Sequence, residues 1–218
     1  MRQYLVIIIL GVGLISLGAC TTGRNTNYQS PDNGALPATE LEGAVMPADG
    51  TYFMNTTSSV IVWHGEKLIG SAHDGTVRFN SGRLEITDGR LSSGEFIADM
   101  RTIETDDNIE MLENHLKSKD FFAVEQYPEA KLVITSVGET SEGLYRIVGD
   151  LTVKDKTNPI EFDAYLGEID GELRAITSLM IDRTNWDVTY ASNKFFKDLG
   201  DAIIKDEIQL IVDISAQR

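Results

Sequence analysis

The 218-residue chain has one cysteine and three histidines, and its 19 Lys and Arg face 34 Asp and Glu. A single cysteine, Cys20, excludes an internal disulfide. His64, His73 and His115 form no H-x-H or H-x-x-x-H pair, so transition-metal ligands are scarce. The formal net charge of −15 sets the surface against nucleic-acid phosphates and anionic lipid head groups. No G-x-S-x-G nucleophile turn and no phosphate-cradling glycine loop occur, and no second cysteine stands as a nucleophile. Carboxylates are so abundant that any chosen acid–base pair carries little weight. No cofactor is expected.

Long apolar runs are equally scarce. The one near the start, Leu5 to Leu17, falls short of the about 20 residues a membrane span needs. It follows Arg2 and precedes small residues, which is the layout of a secretory signal over residues 1–19. The "LGAC" that ends at Cys20 resembles the lipobox of bacterial lipoproteins, in which the cysteine is acylated after cleavage. The alternative is a buried free thiol in an uncleaved helix. Acyl chains contribute about 0.8 kcal/mol per buried CH₂, enough for a stable membrane anchor. This places the expected protein at the bacterial cell envelope as a lipoprotein. Residues 20–50, rich in Thr, Asn, Gly, Pro and Ala without periodicity, read as a lipidated flexible tether.

From Thr51 to Arg218 the chain reads as one domain dominated by period-two alternation. Tyr145, Ile147, Gly149, Leu151 and Val153 share a face, as do Ile160, Phe162, Ala164 and Leu166. Leu173, Ala175, Thr177, Leu179 and Ile181 form another such set, and Ile208, Leu210, Val212 and Ile214 the last. Earlier strands are less clean: Val60–Trp63, Ala72–Phe79, Arg83–Thr87 and Gly94–Thr102. The linkers "NSG", "TDG", "SEG", "KTN" and "IDG" read as hairpin turns. One-sided strands joined by short turns give an antiparallel all-β fold of about eight strands, stacked as a sandwich or closed as a barrel. A short helix is predicted in "TDDNIEMLENHL", with Ile109, Leu112 and Leu116 on one face and a capping box from Asp107 to Glu110. His115 is expected to close that helix, and His73 to hydrogen-bond in a turn. Two phenylalanine pairs, Phe121–Phe122 and Phe195–Phe196, fall in the two longest non-strand insertions.

Several pieces, in order, resemble the YceI-like family of bacterial lipid-binding proteins. They are "VWHGEKLIGSAHDGTVRF", "HLKSKDFFAVEQYPEAKL", "GDLTVKDKTNPIEF", "IDRTNWDV" and "LGDAIIKDEIQLIVDI". The resemblance implies a lipocalin-like antiparallel β-barrel whose apolar interior takes a polyisoprenoid or similar amphiphile, without catalysis. It departs at Asp155 and Asp187, where the family often has glycine; the second departure bears on the loop beside Trp186.

The candidate cavity walls are Phe53, Trp63, Phe79, Phe96, Leu151, Phe162 and Trp186. Phe121 and Phe122 are read as one core residue and one entrance residue, together a cap or lid. Arg183 either pairs with a carboxylate such as Asp182 or Asp187, or grips a ligand's polar head in fork geometry. The partners this implies are an isoprenoid lipid or quinone and the membrane, through the acyl anchor. Two competitors remain: an enzyme acting on such an amphiphile, and a filled-core interaction module at the envelope.

Overall fold

The structure is a computed structural model that describes Leu41 and residues 43–218. The expected signal over residues 1–19 and the expected anchor at Cys20 lie outside these described residues.

Nine strands run β1 Gly50–Met54, β2 Val60–Glu66, β3 Ala72–Thr87, β4 Arg90–Thr105, β5 Glu129–Ser141, β6 Leu144–Val153, β7 Lys156–Ile169, β8 Glu172–Asp182 and β9 Glu207–Gln217. One helix, α1 (Glu110–Lys117), separates β4 from β5. Strands β2 to β9 pair in sequence, and β9 pairs back with β2, so eight antiparallel strands close into a barrel. Closure pairs every strand of the ring with a neighbour on each side. The choice between sandwich and barrel is settled by the β2–β9 pairing.

The ninth strand completes one stave. β2 covers only one half of β3, from Val60 opposite Arg78 to Glu66 opposite Ala72. β1 covers the other half, from Gly50 opposite Ile86 to Phe53 opposite Arg83, and touches β9 at Ala216 and Gln217. β1 and β2 are therefore two lengths of one stave, interrupted by a loop at residues 55–59. Buried Ser59 seals the interruption: its hydroxyl donates to the Ser215 carbonyl at 3.2 Å and accepts from the Ser215 amide at 3.0 Å.

Two expected turns are displaced. "NSG" does not reverse the chain, because β3 runs through it with a register shift between Phe79 and Ser81. The turn before β7 sits at Lys154–Asp155, ahead of "KTN", and Lys154 rather than Asp155 takes the left-handed conformation (φ 57°). A further shift in β4 explains why its alternation looked imperfect. Ala98 and Met100 face inward, then Ile103, one residue out of phase. The extra residues are held by the Thr102 hydroxyl, which donates to the Asp99 carbonyl at 2.7 Å and accepts from the Arg78 amide at 2.8 Å. Bulges of this kind re-aim side chains next to sites.

Residues 43–49, expected to belong to a flexible tether, are held against the barrel. Val45 exchanges two backbone hydrogen bonds of 2.9 Å with Glu168, and the Asp49 carboxylate accepts from the Gly89 amide at 2.8 Å. Residues 43–49 are thus docked at the end of the barrel where the β3–β4 and β7–β8 turns lie.

The helix begins without the expected box. Its N-cap, Ile109, offers no side-chain acceptor; instead the Thr105 hydroxyl accepts from the Ile109 amide at 2.9 Å. Glu113 reaches back to accept from the Thr105 amide, also at 2.9 Å. Asp107 stands aside, 3.3 Å from His73, which lies on β3 rather than in a turn.

Gly75 marks a point where any side chain would collide. A β-carbon there would lie 2.0 Å from the Glu104 carbonyl oxygen and 2.6 Å from the Trp63 ring. Gly75→Ala is expected to cost about 1–3 kcal/mol through overpacking. Chemical denaturation of the variant, with an unchanged slope and a lower midpoint, checks it.

Candidate functional site

The barrel interior differs along its length. At the end near the docked N-terminal segment, Tyr52, Leu84, Ile86, Tyr145, Leu166 and Leu173 pack into a solid cluster. The Tyr52 hydroxyl donates to the Ala48 carbonyl at 2.9 Å, so this end is closed without an orphaned donor. Beyond this cluster a cavity of about 600 Å³ opens, with Ala98, Ala164 and Ala175 among its lining residues. That is within the range of about 300–1,000 Å³ for small-molecule pockets. A filled interior, one of the sequence alternatives, is not what this barrel has.

Nearly every group facing the cavity is aliphatic or aromatic. Among the polar side chains on the walls, Thr177 and Trp186 are occupied, whereas the buried Trp63 indole nitrogen has no partner among the described residues. Thr177 is buried on β8, and its hydroxyl donates to the Asp163 carbonyl at 2.6 Å. The Trp186 indole donates to the Leu151 carbonyl at 2.9 Å. The long wall therefore offers a ligand dispersion and burial, with no fixed polar anchor from these two residues.

Of the wall residues chosen from sequence, Trp63, Phe79, Phe96, Leu151, Phe162 and Trp186 all line the cavity. Phe53 does not. It is 62% exposed on the outside of β1, because Tyr52 and Met54 on either side occupy the interior. Three bulky residues in succession leave the phase of a five-residue strand undetermined in the sequence, and the closed-end cluster decides it.

The cavity reaches solvent at the end formed by α1, the β2–β3 connection and residues 187–206. Exposed Met111, together with Glu66, Lys67 and Ala202, borders this mouth. Phe121 is 5% exposed and Phe122 half-buried, and both face the cavity beneath α1. Phe122 packs with Val77, Ala98, Met100, Ile103 and Val124. Phe121 joins His115 and Tyr190 in a cluster of rings, with centroids 5.0 Å apart for His115–Phe121 and 4.7 Å for His115–Tyr190. His115 lies in the last helical turn, where it was expected, and its ring edge ties α1 to the segment carrying Tyr190. Nothing in the local sequence pointed to Tyr190, which comes from 75 positions further along the chain.

Arg183 is 3% exposed and opens the short 3-10 turn that follows β8. Its guanidinium donates to the carbonyls of Lys205 (3.0 Å), Ile204 (3.1 Å) and Val188 (2.5 Å), with Asp206 at 3.5 Å. These donors are taken up by the protein's own chain, and the carboxylate beside the guanidinium is Asp206 rather than Asp182 or Asp187. Burial pushes its pKa down, against the opposing pull of Asp206 and Asp182. Asp182 instead accepts from the Thr184 amide at 3.0 Å and pairs with Lys194 at 2.6 Å. Burial raises its pKa, but the hydrogen bonds from Lys194 and Thr184 outweigh this and hold it below the ordinary carboxylate value. Asp187 takes the left-handed conformation (φ 56°) that glycine would favour, and pairs with Lys156 at 3.0 Å. The loop beside Trp186 keeps its turn despite the departure.

These contacts make Arg183 the clamp of the mouth loop. Arg183→Lys is expected to destabilise by about 1–3 kcal/mol, since buried carbonyls lose their donor. Ligand affinity at saturation should stay within a few-fold; a large affinity loss at unchanged stability would favour the headgroup role.

A family model described as the YceI-like domain matches residues 52–216. A UPF0312 protein of Pseudomonas putida is 29% identical over 122 residues, covering 56% of this chain and 64% of that protein's length. A UPF0312 protein of Shewanella denitrificans is 28% identical over 139 residues, 62% of this chain and 72% of its own. Among solved structures, BcnA of Burkholderia cenocepacia superposes with a TM-score of 0.64 at 18% identity, over 74% of this chain and 98% of its own. A polyisoprenoid binding domain from Saccharophagus degradans gives 0.58 at 13%, over 76% and 97%. At these identities the structural likeness speaks for the fold.

Proposed function

The chain belongs to the YceI-like family, and we propose that it carries an amphiphile with a long isoprenoid-type tail, such as an isoprenoid quinone, inside its barrel at the bacterial cell envelope. The observation that carries this is the cavity of about 600 Å³, walled by apolar side chains and closed at one end. Burial stabilises an apolar guest by about 25 cal/mol per Å² removed from water. With wall donors such as the Trp186 indole already engaged, affinity follows the tail and tolerates a range of head groups at the mouth. The family, and the polyisoprenoid-binding description of the S. degradans neighbour, support the isoprenoid class. Carriage rather than turnover is the reading favoured here, because the cavity lining is overwhelmingly aliphatic and aromatic.

The test is to purify the full chain, extract it with organic solvent and identify the guest by mass spectrometry. A co-purifying isoprenoid, or uptake of one when offered, is the expected result, with affinity rising with tail length. A chain that carries no lipid and takes none up refutes the proposal. A guest recovered chemically altered after incubation would favour an enzyme.

Envelope residence rests on the lipobox-like "LGAC" at Cys20. Cys20→Ser is expected to abolish labelling by radiolabelled fatty acid. Continued labelling would refute the anchor.

A further inference from the structure

Among the described residues, ten large apolar side chains stand well exposed, and six of them border the mouth: Leu68, Ile69, Met111, Tyr190, Phe195 and Phe196. Of the others, Val45, Met46 and Phe53 lie towards the closed end and Met180 on β8. The six come from three separate stretches of chain that the fold stitches together. The Leu68 amide donates to the Ile203 carbonyl at 2.9 Å, and the Ile204 amide to the Ala191 carbonyl at 3.0 Å. The Phe195 and Phe196 amides both donate to the Ser192 carbonyl. Tyr190 is joined to α1, and so to the helix bearing Met111, through the ring of His115. Exposure is high where it matters, at 63% for Ile69, 80% for Met111 and 57% for Phe195. Exposed apolar side chains gathered at one opening mark a contact surface.

We propose that this rim inserts into the interfacial layer of a lipid bilayer, so that the cavity receives its guest directly from the membrane. The inference rests on the proposed carriage of a membrane-dwelling amphiphile, because such a guest has no ready route through water. Three features favour a bilayer as occupant. The rim is continuous with the apolar cavity wall, since Met111 and Tyr190 belong to both. Two of its lysines are paired with carboxylates: Lys205 with Glu66, and Lys194 with Asp182 and Asp206. The chain's net charge of −15 opposes anionic surfaces, so contact must come from apolar insertion.

The geometry of attachment is compatible. The chain joins the barrel at the closed end, where residues 43–49 dock. A strand of 16 residues such as β3 spans about 50 Å at about 3.3 Å per residue. The stretch from Cys20 to Gly43 has a maximal reach of about 75 Å. An acylated Cys20 therefore leaves enough chain for the mouth, at the far end, to meet the same bilayer.

The test uses the full chain carrying Cys20→Ser, so that no acyl group contributes. Phe195→Trp in that background adds an indole to the rim. Vesicles of phosphatidylcholine brominated along the acyl chains are expected to quench its added emission, equally in about 1 M salt, where the Debye length is about 3 Å. Phe195→Ser with Phe196→Ser, both at exposed positions that folding tolerates, is expected to slow uptake of an isoprenoid quinone from phosphatidylcholine vesicles roughly tenfold. Equilibrium binding of the same quinone from detergent should be unchanged. An unquenched indole, or quenching that requires anionic lipid and vanishes in salt, overturns the proposal. So does an unchanged uptake rate, or a rim whose serine variant instead loses a protein partner. If the parent chain takes up no quinone even from detergent, the carriage reading fails, while the quenching arm still judges the rim.

Discussion

Closure of the sheet is the constraint from which the other features follow. Once β9 pairs with β2, the circumference is fixed by eight strands, and the side chains must fill whatever volume that ring encloses. At one end tyrosines and leucines do so. Beyond them the inward side chains do not meet across the ring, and the shortfall is the cavity. The satisfied backbone of a closed barrel makes such an interior tolerable, because the cavity wall exposes apolar atoms and very few unpaired polar ones.

Three polar groups near the interior are tied off in a consistent way, while the buried Trp63 indole nitrogen has no partner among the described residues. Thr177, Trp186 and Arg183 all donate to backbone carbonyls. Each such bond removes a donor that would otherwise select for a polar guest or admit water. Arg183 shapes the mouth through the chain it holds. By gathering the carbonyls of residues 188, 204 and 205, it holds the loop that forms one side of the mouth, and that loop carries Tyr190 and the exposed phenylalanines. The clustered rings of His115, Phe121 and Tyr190 then link this loop to the helix on the other side.

The two halves of the stave at β1 and β2 have a related consequence. A single continuous strand along this seam would have to keep one register with β3 and β9 over its full length. Breaking it at residues 55–59 lets each half pair independently, at the cost of a buried gap that the Ser59–Ser215 hydrogen bonds close. The bulges of β3 and β4 act similarly: each resets which residues point inward, so a barrel long enough to hold a tail stays lined with apolar side chains.

The sequence alone determined the clean strands β6 to β9, because each carries an uninterrupted period-two pattern that one buried face enforces. It also located α1 and both phenylalanine pairs in insertions, since helix spacing and broken alternation are local signals. What only the tertiary structure decided were features that depend on a neighbour distant in the chain. The phase of β1, which turns Phe53 outward, is set by the cluster around Tyr52. The start of α1 is set by Thr105 and Glu113 rather than by Asp107, and the partners of Arg183 are carbonyls 5 to 22 residues away. Whether the interior is filled or hollow belongs to the same group, since alternation reports which side of a strand is buried and nothing about how far away the opposite wall stands.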